Sequence, residues 1–172
     1  MKKLASLGAT LVLALSAGSV SAANSLNAGT FGINVDTNDH SIINGKYLVT
    51  KDLAVLAGFG LAVRNNTVGP VSISSTDTSF LIGVRKYLKT DDFAPFVGGR
   101  FTLVTTNDSN TTDLEFLGEA GVEYFVGKQF SIEGRVGFGF RSTETQFPPS
   151  TITEKDTIFG SSSASISANF YF

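Results

Sequence analysis

Apolar residues alternate with small or polar residues at a period of two from about Ala28 to the end of the chain. Successive side chains of a strand point to opposite faces, so this period predicts β-strands with one apolar face. All runs but the first reach the ~9 to 11 residues with which a tilted strand crosses a bilayer. The eight runs are Gly29–Val35, Ser41–Val49, Leu53–Arg64, Thr78–Leu88, Phe93–Thr105, Thr112–Val126, Phe130–Ser142 and Thr157–Phe172.

The connections between these runs alternate in length. Three are tight, at residues 50–52, 89–92 and 127–129. The other four, at 36–40, 65–77, 106–111 and 143–156, are longer and rich in Asn, Thr, Ser and Asp. Short turns at one end and longer loops at the other are typical of bacterial membrane barrels. The pattern therefore predicts an all-β fold, an eight-stranded antiparallel transmembrane up-and-down β-barrel.

The N-terminus has the pattern of a secretory signal. Met1-Lys2-Lys3 precedes an apolar run that ends at Val20, and small residues follow at Ser21-Ala22-Ala23. The apolar run is shorter than the roughly 20 residues that a membrane-spanning helix needs. We therefore expect a cleaved signal peptide at residues 1–22 and an outer-membrane β-barrel domain at residues 23–172, with cleavage after Ala22 or Ala23.

Composition restricts the alternatives further. The chain has no Cys, which excludes lipid attachment through a thiol. Without Lys2 and Lys3 it has 11 basic and 15 acidic residues, a net charge of −4, and nucleic-acid binding requires a basic face. We therefore expect no nucleic-acid partner. Only 16% of the residues are charged, compared with about 25% in soluble domains.

The apolar face of this barrel is predicted to face lipid. The alternative is a soluble, lipocalin-like barrel with its apolar face inside. The interior of an eight-stranded barrel is just wide enough to be filled by side chains, and the many Phe, Ile, Leu and Val residues of the apolar face would crowd it. The opposite face is mostly Gly and Ser with a few charges, as at Ser163, Ser165, Ser167 and Asn169 of the last run.

The charges on this second face are predicted to pair inside the barrel. Acidic residues share one parity in the sixth run, and charged residues of the fifth and seventh runs share the corresponding parity, so neighbouring strands bring them within reach. The predicted ion-pair network consists of Arg100, Glu115, Glu119, Glu123, Glu133, Arg135 and Arg141.

A repeated pattern surrounds the three tight turns, each with a Tyr six residues before Leu or Phe. These aromatic residues are predicted to form a girdle at one membrane interface. In the fourth run the alternation instead puts Lys86 outward and Tyr87 inward, so either Lys86 extends to the interface or a β-bulge near Arg85 restores Tyr87 to the girdle. The predicted girdle consists of Tyr47, Tyr87, Phe93, Tyr124, Phe130, Phe170 and Phe172.

The turn repeats and the C-terminal run Ile166–Phe172 resemble the OmpA/OmpX-type small outer-membrane barrels, a porin-like barrel family, across the whole mature sequence. The resemblance implies a location in the bacterial outer membrane, contact with its lipid and lipopolysaccharide, and a monomer. It also implies that the assembly machinery recognises the last strand, with Phe172 as the signal. The chain differs from two-domain members in ending at the barrel, and its loops are shorter than those of opacity-type adhesins.

Catalytic chemistry is not expected. Some eight-stranded outer-membrane barrels modify lipid A with a His and a Ser or Asp, but the one His here, His40, adjoins Asp39 and Ser41. Neighbouring side chains of an extended segment point to opposite faces, which suits a triad poorly. We therefore expect no catalytic residue, cofactor or metal. The favoured hypothesis is a structural or surface-interaction protein whose loops bind a surface ligand; the alternatives are a small, poorly selective channel and a lipid A-modifying enzyme.

Overall fold

The structure is a computed structural model that describes residues 26–36, 42–68, 71–107, 110–146 and 153–172. The described part of the chain is built from strands. No helix within it is long and apolar enough to cross a membrane. The strands are β1 (Phe31–Asp36), β2 (Ile42–Thr50), β3 (Leu53–Val68), β4 (Val71–Tyr87), β5 (Phe93–Thr106), β6 (Thr111–Gly127), β7 (Phe130–Gln146) and β8 (Thr153–Tyr171).

The eight strands form one closed barrel in chain order, and β8 pairs with β1 to complete the ring. Every pairing is antiparallel, from Phe31 opposite Tyr47 in the first pair to Gly32 opposite Tyr171 in the closing pair. Closure leaves no sheet edge along the paired part of the wall. The predicted all-β, eight-stranded up-and-down barrel is confirmed.

The strands continue further toward the loops than the apolar alternation predicts. β4 begins at Val71 and β8 at Thr153, whereas the sequence predicts Thr78 and Thr157. The added residues are mostly Ser, Thr and charged side chains. Their backbones pair within hairpins, as Gln146 does with Thr153. A ladder that meets water on both faces needs no apolar residues, so period-two hydrophobicity ends before the strand does.

One hairpin is much shorter than the others. β1 and β2 have 6 and 9 residues, whereas β3, β4, β6, β7 and β8 have 16 to 19. β1 begins at Phe31 because the chain turns at Gly29, whose φ of +88° is in the left-handed region that glycine accepts readily. The tight turns and residues 26–30 lie at one end of the barrel, which we call the turn end; the opposite end is the loop end.

The outward face of the wall is apolar and exposed. Side chains such as Ile82, Val136 and Ile166 are about 60% exposed although they lie in the middle of long strands. A β-bulge at Gly160, with φ of +101°, changes the expected alternation in β8. Phe159 therefore faces outward beside Phe138, with ring centroids 5.7 Å apart, and Ile158 falls on the inward parity.

The inward face fills the barrel in layers. At the turn end eight residues form an apolar cluster, the turn-end plug, in which Leu26 from the segment before β1 packs with residues of the wall. Phe96 and Tyr87 meet edge-on, with centroids 5.9 Å apart. The plug consists of Leu26, Leu48, Ala54, Tyr87, Ala94, Phe96, Phe125 and Tyr171.

Candidate functional site: the charged barrel interior

Next to the turn-end plug lies a layer of charged side chains, which we call the ion-pair layer. It consists of Asp36, Lys46, Arg85, Arg100, Glu119, Glu123, Glu133 and Arg135. All occupy inward positions of their strands, because residues two apart on a strand share a face. Their side chains are at most 6% exposed.

Lys46 is the centre of the part nearest the plug. Its Nζ donates to Glu123 Oε2 at 2.9 Å, Glu133 Oε2 at 3.3 Å and the Tyr171 hydroxyl at 3.0 Å. Glu123 is held in turn by the hydroxyl groups of Tyr87, at 2.5 Å, Tyr171 and Ser131. The carboxylate therefore accepts hydrogen bonds from three strands besides the one that carries Lys46.

Arg85 and Glu133 form a two-pronged ion pair. Nη1 donates to Oε2 at 2.6 Å and Nη2 to Oε1 at 2.8 Å. This fork geometry is the strong form of an arginine–carboxylate contact. The Arg85 guanidinium also lies 3.7 Å from the ring centroid of Phe96, a cation–π contact that links the charges to the plug. Arg85 on β4 thereby connects to β7 across the barrel.

A second group lies toward β1. Arg135 Nη2 donates to Asp36, and its Nη1 donates to Glu133 Oε1 at 3.2 Å. Glu119 Oε1 lies 3.1 Å from Arg100 Nε and 3.5 Å from Arg135 Nε. These two approaches are close enough for ion pairing but do not have hydrogen-bond alignment, because all three atoms lack a hydrogen-bond partner within the described part of the chain. Electrostatic attraction is the main interaction there.

The layer is electrically balanced, with four cations and four carboxylates among the described residues that form it. Burying an unpaired charge costs several kcal/mol, so each charge depends on its neighbours. Six strands contribute a charged side chain to the layer, and β8 contributes Tyr171. Side chains of the layer thus connect seven of the eight strands, all except β3. The layer is a cross-brace of the barrel wall.

Three buried asparagines extend the layer along one side. Asn44 Nδ2 donates to Asn34 Oδ1 at 3.3 Å, and Asn34 Nδ2 donates to Asn169 Oδ1 at 2.7 Å. Asn169 Nδ2 then donates to Ser131 Oγ at 3.0 Å. This asparagine row joins β2, β1 and β8, where the barrel closes on itself.

A second apolar layer covers the charges on the loop side. Leu81 lies four residues before Arg85 on β4, and Leu117 lies two residues before Glu119 on β6. Both strands run from the loop end to the turn end. Leu56 and Val104 are buried with them. The charged side chains therefore lie between two apolar layers, which raises the strength of their interactions.

The predicted network residues lie in three places. Arg100, Glu119, Glu123, Glu133 and Arg135 lie together in the ion-pair layer. Glu115 is half-buried and lines a small cavity with Arg100. Arg141 lies apart, near the loop end, where Nη2 donates to Asp113 Oδ2 at 3.1 Å.

Sequence reasoning missed three members of the layer: Asp36, Lys46 and Arg85. Lys46 shares the inward parity of Asn44 and Leu48, so alternation alone could have identified it. Asp36 follows the first apolar run directly, so the alternation places it in a loop. The alternation allows two registers for the end of β4, so it does not predict which face Arg85 occupies.

Tyr87 was wrongly assigned to the aromatic girdle. It is buried, and its hydroxyl donates to Glu123. The pairing of β4 with β3 and β5 runs without a bulge near Arg85, so the bulge hypothesis is also wrong. Lys86 points outward instead and binds Asp52 at the turn end. Tyr87 lies opposite Phe96, nine residues on, whereas Tyr47 lies opposite Val55, eight residues on. This difference of one residue in the pairing of the two hairpins turns Tyr87 to the inside of the barrel and leaves Tyr47 on the outside.

The other predicted girdle residues face outward near the turn end. Phe130 and Phe170 are neighbours across β7 and β8, with ring centroids 5.0 Å apart. Except for the half-buried Phe130, these side chains are exposed. The outward set is Tyr47, Phe93, Tyr124, Phe130, Phe170 and Phe172.

The described residues contain no group of three or more His, Cys, Asp or Glu side chains arranged to hold a metal ion. His40, with Asp39 and Ser41, lies outside the described residues. The interactions seen in the described interior are charge pairs and hydrogen bonds between side chains.

Comparison with protein-family models and with curated proteins finds no match. Among solved structures, the chain is similar to the outer membrane protein W of E. coli, determined in solution by NMR. The TM-score is 0.56 and the identity 14%, and the match covers 85% of this chain and 99% of that chain. The resemblance to OmpA/OmpX-type barrels is thus supported only at the coarser level of the barrel. The chain shares its fold with an outer-membrane β-barrel.

Proposed function

We propose that this protein is a non-catalytic, integral β-barrel of the bacterial outer membrane with a structural or surface-interaction role. The observation that carries the proposal is the combination of an exposed apolar wall with a filled, charge-paired interior. A soluble barrel would have the opposite arrangement. The loop end then faces outside the cell, and the turn end faces the periplasm.

The apolar wall supports the membrane location. Inside a bilayer every backbone N–H and C=O needs a partner in the protein, and a closed barrel supplies one. Large apolar side chains in water would form an aggregation-prone patch, whereas in lipid they are solvated. The likeness in fold to an outer membrane protein agrees with this assignment.

The interior favours a structural role over the channel hypothesis. The turn-end plug, the ion-pair layer and the second apolar layer follow one another along the barrel axis. The cavity beside Arg100 and Leu81 measures only about 10 Å³. Conduction would require displacing several paired charges at once. The enzyme hypothesis depends on His40, which lies outside the described residues.

The expected partners follow from this location. Lipid and lipopolysaccharide would contact the wall, and the assembly machinery would recognise the C-terminal strand that ends at Phe172. Residues 1–22 would be removed as the signal peptide on export. The outer loops would carry any surface ligand. The barrel would act as a monomer, since its ring is complete without a second chain.

Cell fractionation combined with gel migration before and after boiling tests the proposal. We expect the tagged protein in the outer-membrane fraction and a heat-dependent shift of its band, as for a closed barrel that resists detergent. Recovery in the soluble periplasm would contradict the proposal and would support the lipocalin-like alternative.

Planar-bilayer recording separates the structural role from the channel. We expect no reproducible conductance steps from the wild-type protein, and none from the matched loop-end variant Arg141→Ala. Steps from the wild type that grow in Arg100→Ala would contradict the closed interior, because Arg100 lies in the ion-pair layer.

A further inference from the structure

A small cavity lies where the ion-pair layer meets the second apolar layer. It measures about 10 Å³ and has two apolar residues in its wall, Ile42 and Leu81. The other lining residues are polar and come from four strands. They are Asp36, Asn44, Arg100, Thr102 and Glu115.

Two buried atoms of these lining residues have no hydrogen-bond partner within the described part of the chain. One is an acceptor, Asn44 Oδ1, and the other is a donor, Arg100 Nε. Both residues are at most 5% exposed. Leaving such an atom unpaired costs about 1–3 kcal/mol, and native interiors rarely tolerate the cost. An unpaired acceptor and an unpaired donor therefore belong to two residues that line the same cavity.

The dimensions and charges of the cavity define the ligand. A water molecule needs at least about 10–15 Å³ of such space and two to four polar partners. The volume of about 10 Å³ lies at the lower end of this range and suits one water molecule. A cation would meet the Arg100 guanidinium, and an anion would meet the carboxylates of Asp36 and Glu115. A neutral molecule that both donates and accepts hydrogen bonds suits the lining.

We infer that this cavity is a binding site for one structural water molecule. The water donates to Asn44 Oδ1 and accepts from the Nε–H of Arg100, with Thr102 beside it. It thereby adds a direct link between Asn44 and Arg100. The described side chains connect the asparagine row to Arg100 only by the longer route through Glu133, Arg135 and Glu119.

NMR of the full barrel in detergent micelles, labelled with ¹⁵N in asparagine only, tests the inference. We expect the Asn44 side-chain amide to show a cross-peak to water with the sign of a long-lived contact. Asn34 and Asn169 are internal controls, because they are equally buried but do not line the cavity. Absence of the Asn44 cross-peak, or equal cross-peaks from all three amides, would overturn the inference.

A matched pair of variants locates the water. Thr102→Ile adds apolar atoms inside the cavity, whereas Thr105→Ile adds them on the outward face of the same strand. We expect the Asn44 cross-peak to disappear in the first variant and to remain in the second. Its survival in Thr102→Ile would show that the water lies elsewhere and would overturn the assignment. If Thr102→Ile does not fold, the comparison of the three asparagines in the wild type still decides the question.

Discussion

Two arginine–carboxylate pairs at different depths of the barrel show how burial changes the role of charge. Arg85 and Glu133 are 1% and 0% exposed, and they meet through two aligned hydrogen bonds. Arg141 and Asp113, near the loop end, are 39% and 20% exposed and meet through one. The inner pair cannot be separated without leaving a charge in an apolar enclosure, whereas water can replace either partner of the outer pair. The turn-end half is thus held by pairs that are closed to water, and the loop-end half by pairs that water reaches.

The largest effect is expected from Glu133→Gln. This change removes the carboxylate that Arg85, Lys46 and Arg135 share, and leaves their charges without full compensation. Breaking a buried ion pair costs about 3–5 kcal/mol, so we expect a loss of that order in the free energy of unfolding. Because the chain has no Trp, urea unfolding in detergent is best followed by the gel shift of the folded band or by tyrosine fluorescence.

Glu144→Gln is the matched control, because Glu144 is an exposed residue of the same strand near the loop end. We expect it to change the unfolding free energy by less than about 0.5 kcal/mol. A loss below about 1 kcal/mol in Glu133→Gln would mean that water reaches the ion-pair layer, and the contrast between the two halves would fail.

The next largest effect is a difference in stability between alanine variants of two glycines of the wall, Gly121 and Gly134. A methyl group on Gly121 would come within 2.5 Å of both the Gly134 backbone oxygen and the Phe96 ring tip, and within 2.9 Å of Arg135 Cβ. On Gly134 it would meet nothing within 4 Å. We expect Gly121→Ala to destabilise the barrel by about 1–3 kcal/mol through overpacking, and Gly134→Ala to change its stability by less than about 0.5 kcal/mol. Equal midpoints of urea unfolding for the two variants would argue against tight packing of the interior.

A smaller effect is expected from Arg141→Gln at the loop end. The change removes one partly exposed ion pair with Asp113, a contact worth about 0–1 kcal/mol. Thr143 still donates a hydrogen bond to Asp113, so that carboxylate keeps a partner. Urea unfolding should give a midpoint close to that of the wild type. A loss as large as that of Glu133→Gln would show that the loop-end half is also closed to water.

The alternation of apolar and polar residues along the chain predicts which segments form strands and which face of a strand each side chain occupies. It predicts eight strands, an apolar outward face, and the inward position of Glu119, Glu123, Glu133 and Arg135, since each follows from parity within one strand. The positions that bring these side chains together also depend on register between strands. A single sequence carries that information only weakly.

Tyr87 illustrates the limit. The three turn repeats align without gaps, yet bulges near Val49 and Val126 change the pairing in two of them, and β4 has none. Tyr87 therefore enters the interior while Tyr47 and Tyr124 remain outside. The cavity beside Asn44 could not be predicted at all, because it depends on side chains from five strands.

The smallest effect concerns the exposed turn between β2 and β3. Hydrogen bonds from Lys86 and then from Thr50 hold the pKa of Asp52 below its ordinary value of 3.8. A carboxyl group with a lowered pKa in the folded state stabilises the fold above its unfolded-state pKa of about 3.9, and this contribution is lost as the pH falls through the folded-state value. We therefore expect Asp52→Asn to be slightly less stable than the wild type near neutral pH and equally stable in strong acid. Urea unfolding at several pH values measures the difference, with Asp91→Asn as the control that removes the same charge from another turn. A deficit of Asp52→Asn that stays constant as the pH falls would assign the effect to the shape of the turn instead of the charge of Asp52.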